Sequence, residues 1–316
     1  MRIGYFLSSE EYDPMSWWSS AAGRGGGLRG SLDQRPLPSL ERRAGPEPLR
    51  VGRDRGDLAG PPAARHHRVT APTVRLHPAI VAQAAATATV QLQGRFRLGV
   101  GTGEALNEHI LGDGWPAESV RLEMLEEAIT VMRELWKGEF TTHYGRHYTV
   151  ENARVYTLPE RPPALYMSPL GDKSFDLALR VAHGFITTQP DALRLQEWKA
   201  KAGPDKPTQG GYKVCAADTE DEGVELAHRL WATAGLLGEL SQVLPSPRHF
   251  EQASELVTPD MTRESVACGK DPERHVAAFQ PYVDAGFDEV YVANMGPHYR
   301  QFFRLYSDEV LPRLRG

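Results

Sequence analysis

The sequence predicts an α/β protein of the (β/α)8 barrel class. Short apolar runs alternate with longer amphipathic or Ala-rich stretches along most of the chain, the pattern of parallel strands joined by crossover helices. The 316 residues suffice for a barrel of roughly 250 or more. No GxGxxG opens a helix after a first strand, which weakens a doubly wound sheet as the rival architecture.

Each element has its own signal. Residues 2–7 are a short apolar run, read as a strand. Residues 78–90 are Ala-rich and helical, and Phe96–Val100 is a strand ending in Gly101-Thr102-Gly103. Over 117–137, Val120, Met124, Leu125, Ala128, Met132, Leu135 and Trp136 fall on one helix face at three- and four-residue spacing. Residues 138–150 read as a hairpin, structural or part of a dimer contact. Strand 164–168, helix 172–182 and strand 184–188 follow. Then come strand 211–217, helix 218–234, helix 272–285, strand 289–294 and a closing helix at 297–313.

Composition excludes several classes. A net charge of -5 argues against a dedicated nucleic-acid binder. No apolar run reaches the roughly 18–20 residues that span a bilayer, and the N-terminus lacks a signal peptide's basic flank and apolar core. Cys215 and Cys268 stand far apart and form neither a disulfide framework nor a zinc pattern. His77, His109, His143, His147 and His183 show no metal-ligand spacing, and no metal site is expected. Trp115, Trp136, Trp198 and Trp231 are read as packing residues. The expectation is a single-domain cytoplasmic enzyme with a small-molecule substrate and neither nucleic-acid nor membrane partners.

Residues 14–68 stand apart. They hold 9 Gly, 7 Pro, 10 Arg and no Lys, with neither strand nor helix periodicity. Composition alone reads them as loop or disordered insert.

In a barrel, reactive groups gather where strands end. The loop after 96–100 offers glycines for close backbone approach, Thr102 and Asn107 as neutral hydrogen-bonding groups, and Glu104 as a carboxyl whose partial burial would suit proton transfer. The alternative is a strand-to-helix turn with a solvated Glu. Residues 69–73 read as a strand end against a flat ligand, or as a helix start capped by Thr73. Ser168-Pro169-Leu170-Gly171 reads as a backbone loop that would hold a phosphate at the next helix N-terminus.

Residues 70–316 resemble the luciferase-like oxidoreductases that use coenzyme F420, a deazaflavin, in the branch named after glucose-6-phosphate dehydrogenase. The resemblance rests on residues 96–109 (FRLGVGTGEALNEH), 121–137, 145–158, 238–243 and 271–290, and on the N-terminal MRIGYFLSSEEY. It implies a (β/α)8 barrel, usually a homodimer, that moves a hydride between an alcohol, aldehyde or sugar-like substrate and the deazaflavin. It implies that Thr102, Gly103 and Asn107 contact the cofactor and that Val69 sits on a bulged strand behind its ring. Leu170 and Gly171 would lie near its phosphate, and Glu104 would handle the proton at the ring nitrogen. Two alternatives remain: an FMN-dependent luciferase-like monooxygenase, and a non-catalytic barrel remnant whose basic segment binds an acidic partner.

The sequence also departs from that family. The family's Ser-Asp-His-Phe-x-Pro-Trp motif, with its histidine base, belongs near 33–41, where this chain has Asp-Gln-Arg-Pro-Leu-Pro-Ser-Leu-Glu. Pro169 and His183 stand where Gly and Asp are common. Residues 261–268 hold no lysine for a sugar phosphate, so glucose 6-phosphate is not the expected substrate. A frameshift would explain the odd segment. If residues 36–41 were encoded CCA CTT CCA TCC CTG GAA, reading one base on would spell His-Phe-His-Pro-Trp. The alternative is an insert that replaced the first helix, second strand and second helix. Either way the chain as written is expected to fold poorly and turn over little.

Overall fold

The computed structural model describes residues 1–5, 31–33 and 66–315. Most of segment 14–68, its out-of-frame reading, the altered motif at 34–41 and the end of the first predicted strand lie outside the described residues. So does most of the N-terminal run that carries part of the resemblance.

The chain opens with β1 (Arg2–Tyr5). A three-residue strand, β2 (Ser31–Asp33), lies inside the segment expected to hold none; backbone pairing needs no side-chain periodicity. β3 (His66–Thr70) begins before that segment's predicted end. α1 (Pro78–Gln91) starts on a proline, whose missing N–H costs nothing at a first helical position. His77 caps it, Nδ1 accepting from Ala79 N at 3.2 Å. Thr73, the expected cap, stands five residues before the helix and does not reach it. β4 (Phe96–Val100) ends as predicted and is followed by the one-turn α2 (Ala105–Glu108).

α3 (Glu118–Leu135) buries Leu125, Ala128, Ile129, Met132 and Leu135, so the predicted stripe faces the core. Val120 and Met124 are only half-buried. The expected hairpin is present: β5 (Thr141–Tyr144) runs antiparallel to β6 (Thr149–Ala153). β7 (Ala164–Met167), α4 (Asp172–Val181) and β8 (Gly184–Thr187) follow the predicted alternation.

The later chain departs more. α5 (Ala192–Ala202) had a readable signal in Leu195 and Trp198, both fully buried. β9 (Thr208–Cys215) starts earlier than expected, and α6 (Glu220–Trp231) is shorter. The small α7 (Leu240–Val243), α8 (Pro247–Ser254), α9 (Pro259–Ser265) and β10 (Ala267–Cys268) went unpredicted. α8 and α9 carry Pro at the first helical position after Ser246 and Thr258, a start signal that was legible. α10 (Pro272–Ala285) and β11 (Glu289–Asn294) match their predicted limits. The closing helix is not continuous: α11 (Tyr299–Leu305) passes through a π turn, 306–310, into α12 (Leu311–Arg315). The turn's first residue, Tyr306, is fully buried and bonds the hydroxyl of Tyr212 at 3.3 Å and His275 Nδ1 at 3.2 Å. Burial lowers the pKa of His275.

The chain divides into two compact units. In the first, β1, β11 and β9 form a parallel run with β10 on the far side of β9. In the second, β3, β4, β7 and β8 run parallel. In the second unit α1 packs against α3, where Trp136 Nε1 donates to Ala82 O at 2.9 Å.

Candidate active site

The second unit brings three strand ends into line. Thr70 pairs with Val100, and Val100 with Met167. The segments after β3, β4 and β7 therefore leave from one edge, and all the predicted site residues lie on these segments or the strand ends before them. Val69 lies on β3 opposite Gly99. A Cβ on Gly99 would come 2.8 Å from Val69 Cγ2, so Val69 fills the space that a side chain there would take. The pairing of β3 with β4 is unbroken from 66 to 70, so the expected bulge is absent on that side.

The loop after β4 is half-buried from Gly101 to Glu104. A Cβ on Gly101 would touch nothing within 4 Å among the described residues. Gly103 has φ +86°, and a Cβ there would meet Glu108 Cγ at 2.9 Å and Ala71 Cβ at 3.0 Å. Glycine is required at this position both by its left-handed backbone and by its crowded surroundings.

The loop is held from below. Thr73 Oγ1 donates to Thr102 O at 3.3 Å. Glu108 is 2% exposed and accepts from Arg75 N at 2.8 Å. Tyr148, from the hairpin, donates to Pro72 O at 3.2 Å and Thr73 O at 3.1 Å. Burial, then the charges of Glu127 and Glu108, push its hydroxyl pKa up, so it stays a donor. The hairpin is itself anchored. Glu127 of α3 accepts from the backbone of Arg146, His147 and Tyr148 at 2.9–3.3 Å and is bonded to His143 Nε2 at 3.1 Å. Burial would raise the Glu127 pKa, but these bonds bring it below the usual carboxylate value. Sequence reasoning did not single out Arg75, Glu108, Glu127 or Tyr148; each acts on a partner far away in the chain.

Glu104 stands at the N-terminus of α2 with extended backbone and makes no side-chain capping bond. Its Oε2 accepts from Asn107 Nδ2 at 3.2 Å. Glu104 and Asn107 are thus brought together at one strand end, beside Thr102 and Gly103.

After β7, Leu170 is 69% exposed. Gly171 precedes α4, and its N–H donates to Ser174 Oγ at 3.0 Å. The Gly171 amide is therefore engaged locally; what remains to attract an anion is the positive end of α4. His183 is structural. Its Nδ1 accepts from Leu165 N at 3.1 Å, and burial, with Arg133 nearby, lowers its pKa. Among the described residues no group of three or more His, Cys, Asp or Glu could hold a metal ion, and no helix is long and apolar enough to cross a membrane.

The sequence model of the luciferase-like monooxygenase family matches residues 69–289. The chain belongs to this family. The family assignment settles the fold class as the luciferase-like (β/α)8 barrel. Among its relatives, the F420-dependent glucose-6-phosphate dehydrogenase of Microbacterium testaceum is 36% identical over 259 residues, 78% of this chain and 77% of the relative. The enzyme of that name from Nakamurella multipartita is 34% identical, over 78% of this chain and 76% of the relative. A solved F420-dependent secondary alcohol dehydrogenase, in complex with an F420-acetone adduct, superposes with a TM-score of 0.85 at 27% identity, over 100% of this chain and 99% of that one. A long-chain alkane monooxygenase matches at 13% identity, a likeness of fold alone. By family, the chain is an oxidoreductase.

Proposed function

We propose that this chain is an F420-dependent oxidoreductase that moves a hydride between the cofactor and an alcohol, aldehyde or sugar-like substrate. The observation that carries this reading is the half-buried Glu104 carboxylate, held by Asn107 beside an open glycine at a strand end. It occurs in a chain whose relatives are named as F420-dependent dehydrogenases. The residues present fit such a cofactor: a glycine at Gly101 with no described atom within 4 Å of where a Cβ would stand, hydrogen-bonding groups on Thr102 and Asn107, and a helix N-terminus at Gly171. When bound, the deazaflavin supplies a two-electron hydride carrier. Thr102, Gly103 and Asn107 would contact it, Val69 would back its ring, and Leu170 and Gly171 would lie toward its phosphate. Glu104 would hold or release the proton at the ring nitrogen.

The substrate reading favours an unphosphorylated alcohol. Residues 261–268 carry no lysine. Arg263, the cation present there, pairs with Glu220 and Asp221 at 2.8 Å each. A secondary alcohol is the substrate class of the matched solved structure. Residues 33–41 lack the histidine base that the resemblance expects, so turnover by this chain is low, and it rises when the in-frame reading of 14–68 is restored. The active form is a homodimer.

A fluorescence titration with F420 and, separately, FMN tests the cofactor. Tight F420 binding with weak FMN binding supports the reading, and the reverse order overturns it. Isopropanol and glucose 6-phosphate are then compared as reductants of bound F420. Faster reduction by glucose 6-phosphate removes the substrate reading. Sedimentation shows whether the chain pairs.

A further inference from the structure

Two carboxylates lie on the short α2 segment, and they are used differently. Glu108 is buried and turned toward Arg75. Glu104 is half-buried, makes no capping bond, and is tied to Asn107 twice: Asn107 N donates to Glu104 O at 3.0 Å, and Asn107 Nδ2 donates to Glu104 Oε2 at 3.2 Å. The first bond fixes where the Asn107 side chain starts. The second uses that placement to aim the carboxylate.

We propose that Asn107 is a positioning residue, whose side-chain amide holds the Glu104 carboxylate in one direction before any cofactor arrives. The inference rests on the reading that Glu104 handles a proton. It goes further by giving Asn107 a task in the unliganded protein, separate from contacting the cofactor. An amide suits both protonation states of its partner. Nδ2–H donates to the carboxylate, and after a half-turn Oδ1 accepts from the carboxylic acid. Aspartate would repel the carboxylate and serine would fall short of it. The Nδ2 group carries two hydrogens, so one remains for a ligand.

The test begins without cofactor. The chain is labelled with glutamate carrying carbon-13 at the side-chain carboxyl, and the resonance missing from E104Q is that of Glu104. In N107A this resonance moves by more than its linewidth, and in N107Q, which keeps the amide on a longer stem, it returns toward its original place. An unmoved Glu104 resonance in N107A overturns the proposal. If circular dichroism shows N107A unfolded, the reciprocal measurement decides. The Asn107 side-chain amide protons must shift between the wild-type chain and E104Q, and unchanged amide signals overturn the proposal. With F420 and isopropanol, N107A loses turnover by roughly ten- to a hundredfold, the worth of one hydrogen bond to a charged group, and N107Q recovers part of it. Absent F420 binding by the wild-type chain would refute the proposed function, while the unliganded spectra still decide the Asn107 contact.

Discussion

Two asparagines, one ending a strand and one on the short helix that follows another, differ in what they hold. In the first unit, Asn294 ends β11 at 3% exposure. Its Oδ1 accepts from Ala216 N at 2.9 Å, and its Nδ2 donates to Met295 O at 3.1 Å and Gly296 O at 3.3 Å. The next residue, Met295, belongs to a buried apolar cluster with Cys215, Cys268, Val224 and Ala227. In the second unit, Asn107 is half-buried and spends its amide on a carboxylate. Both sit where a barrel can place chemistry. A polar side chain consumed by buried backbone groups serves the fold, whereas one that orients a partly exposed acid is available to a ligand.

The largest effect that would break this comparison comes from Glu104. E104Q should lower F420-dependent turnover by roughly 10²–10⁴-fold and leave the melting temperature within a degree or two of wild type. Equal turnover would move the chemistry elsewhere. N294A should behave in the opposite way. It strands the buried Ala216 N–H, at about 1–3 kcal/mol, and thermal unfolding should show that loss while F420 binding is unchanged. G103A should cost about 1–2 kcal/mol from the left-handed backbone alone, and more from the contact with Glu108. Weakened F420 binding should accompany it, measured by fluorescence. Y148F removes the hydroxyl bonds to Pro72 and Thr73, for about 1 kcal/mol read by denaturant midpoint.

A pH series sharpens the contrast at the small end. The Glu127 pKa is lowered in the folded chain, so the folded state binds fewer protons there than the unfolded one. Its contribution is complete above the unfolded value near 4.3 and is lost as pH falls through the folded value. Melting temperatures measured from pH 6 to pH 3 should fall less steeply in E127Q than in wild type. His275, lowered by burial, adds a slope at higher pH. Stability declines as pH drops below about 6.5, and H275Q should remove its share of that decline.

Much of the fold was legible because local signals agreed with the final structure. β4, α10 and β11 keep their predicted limits, and α3 buries most of its predicted stripe. The break at Tyr306 was not legible. A π turn adds one residue to a helical turn, and no local pattern over 297–313 marks its place, where Tyr306 bonds Tyr212 and His275. Thr73 looked like a helix cap because it precedes an Ala-rich run, yet its hydroxyl bonds Thr102, 29 residues on.

The alternation of strands and helices, the family, and the placing of Glu104, Thr102 and Gly103 just after a strand are all readable along the chain. Those follow from short-range periodicity and from residue types adjacent in the chain. What supports them comes from contacts between distant parts of the chain. Glu108 reaches Arg75 across 33 residues, and Tyr148 reaches Pro72 across 76. Glu127 gathers a hairpin turn in which a Cβ on Gly145 would collide with its carboxylate. Such contacts depend on which backbone groups meet when strands align, and hydrogen bonds form at distances in space rather than spacings in sequence.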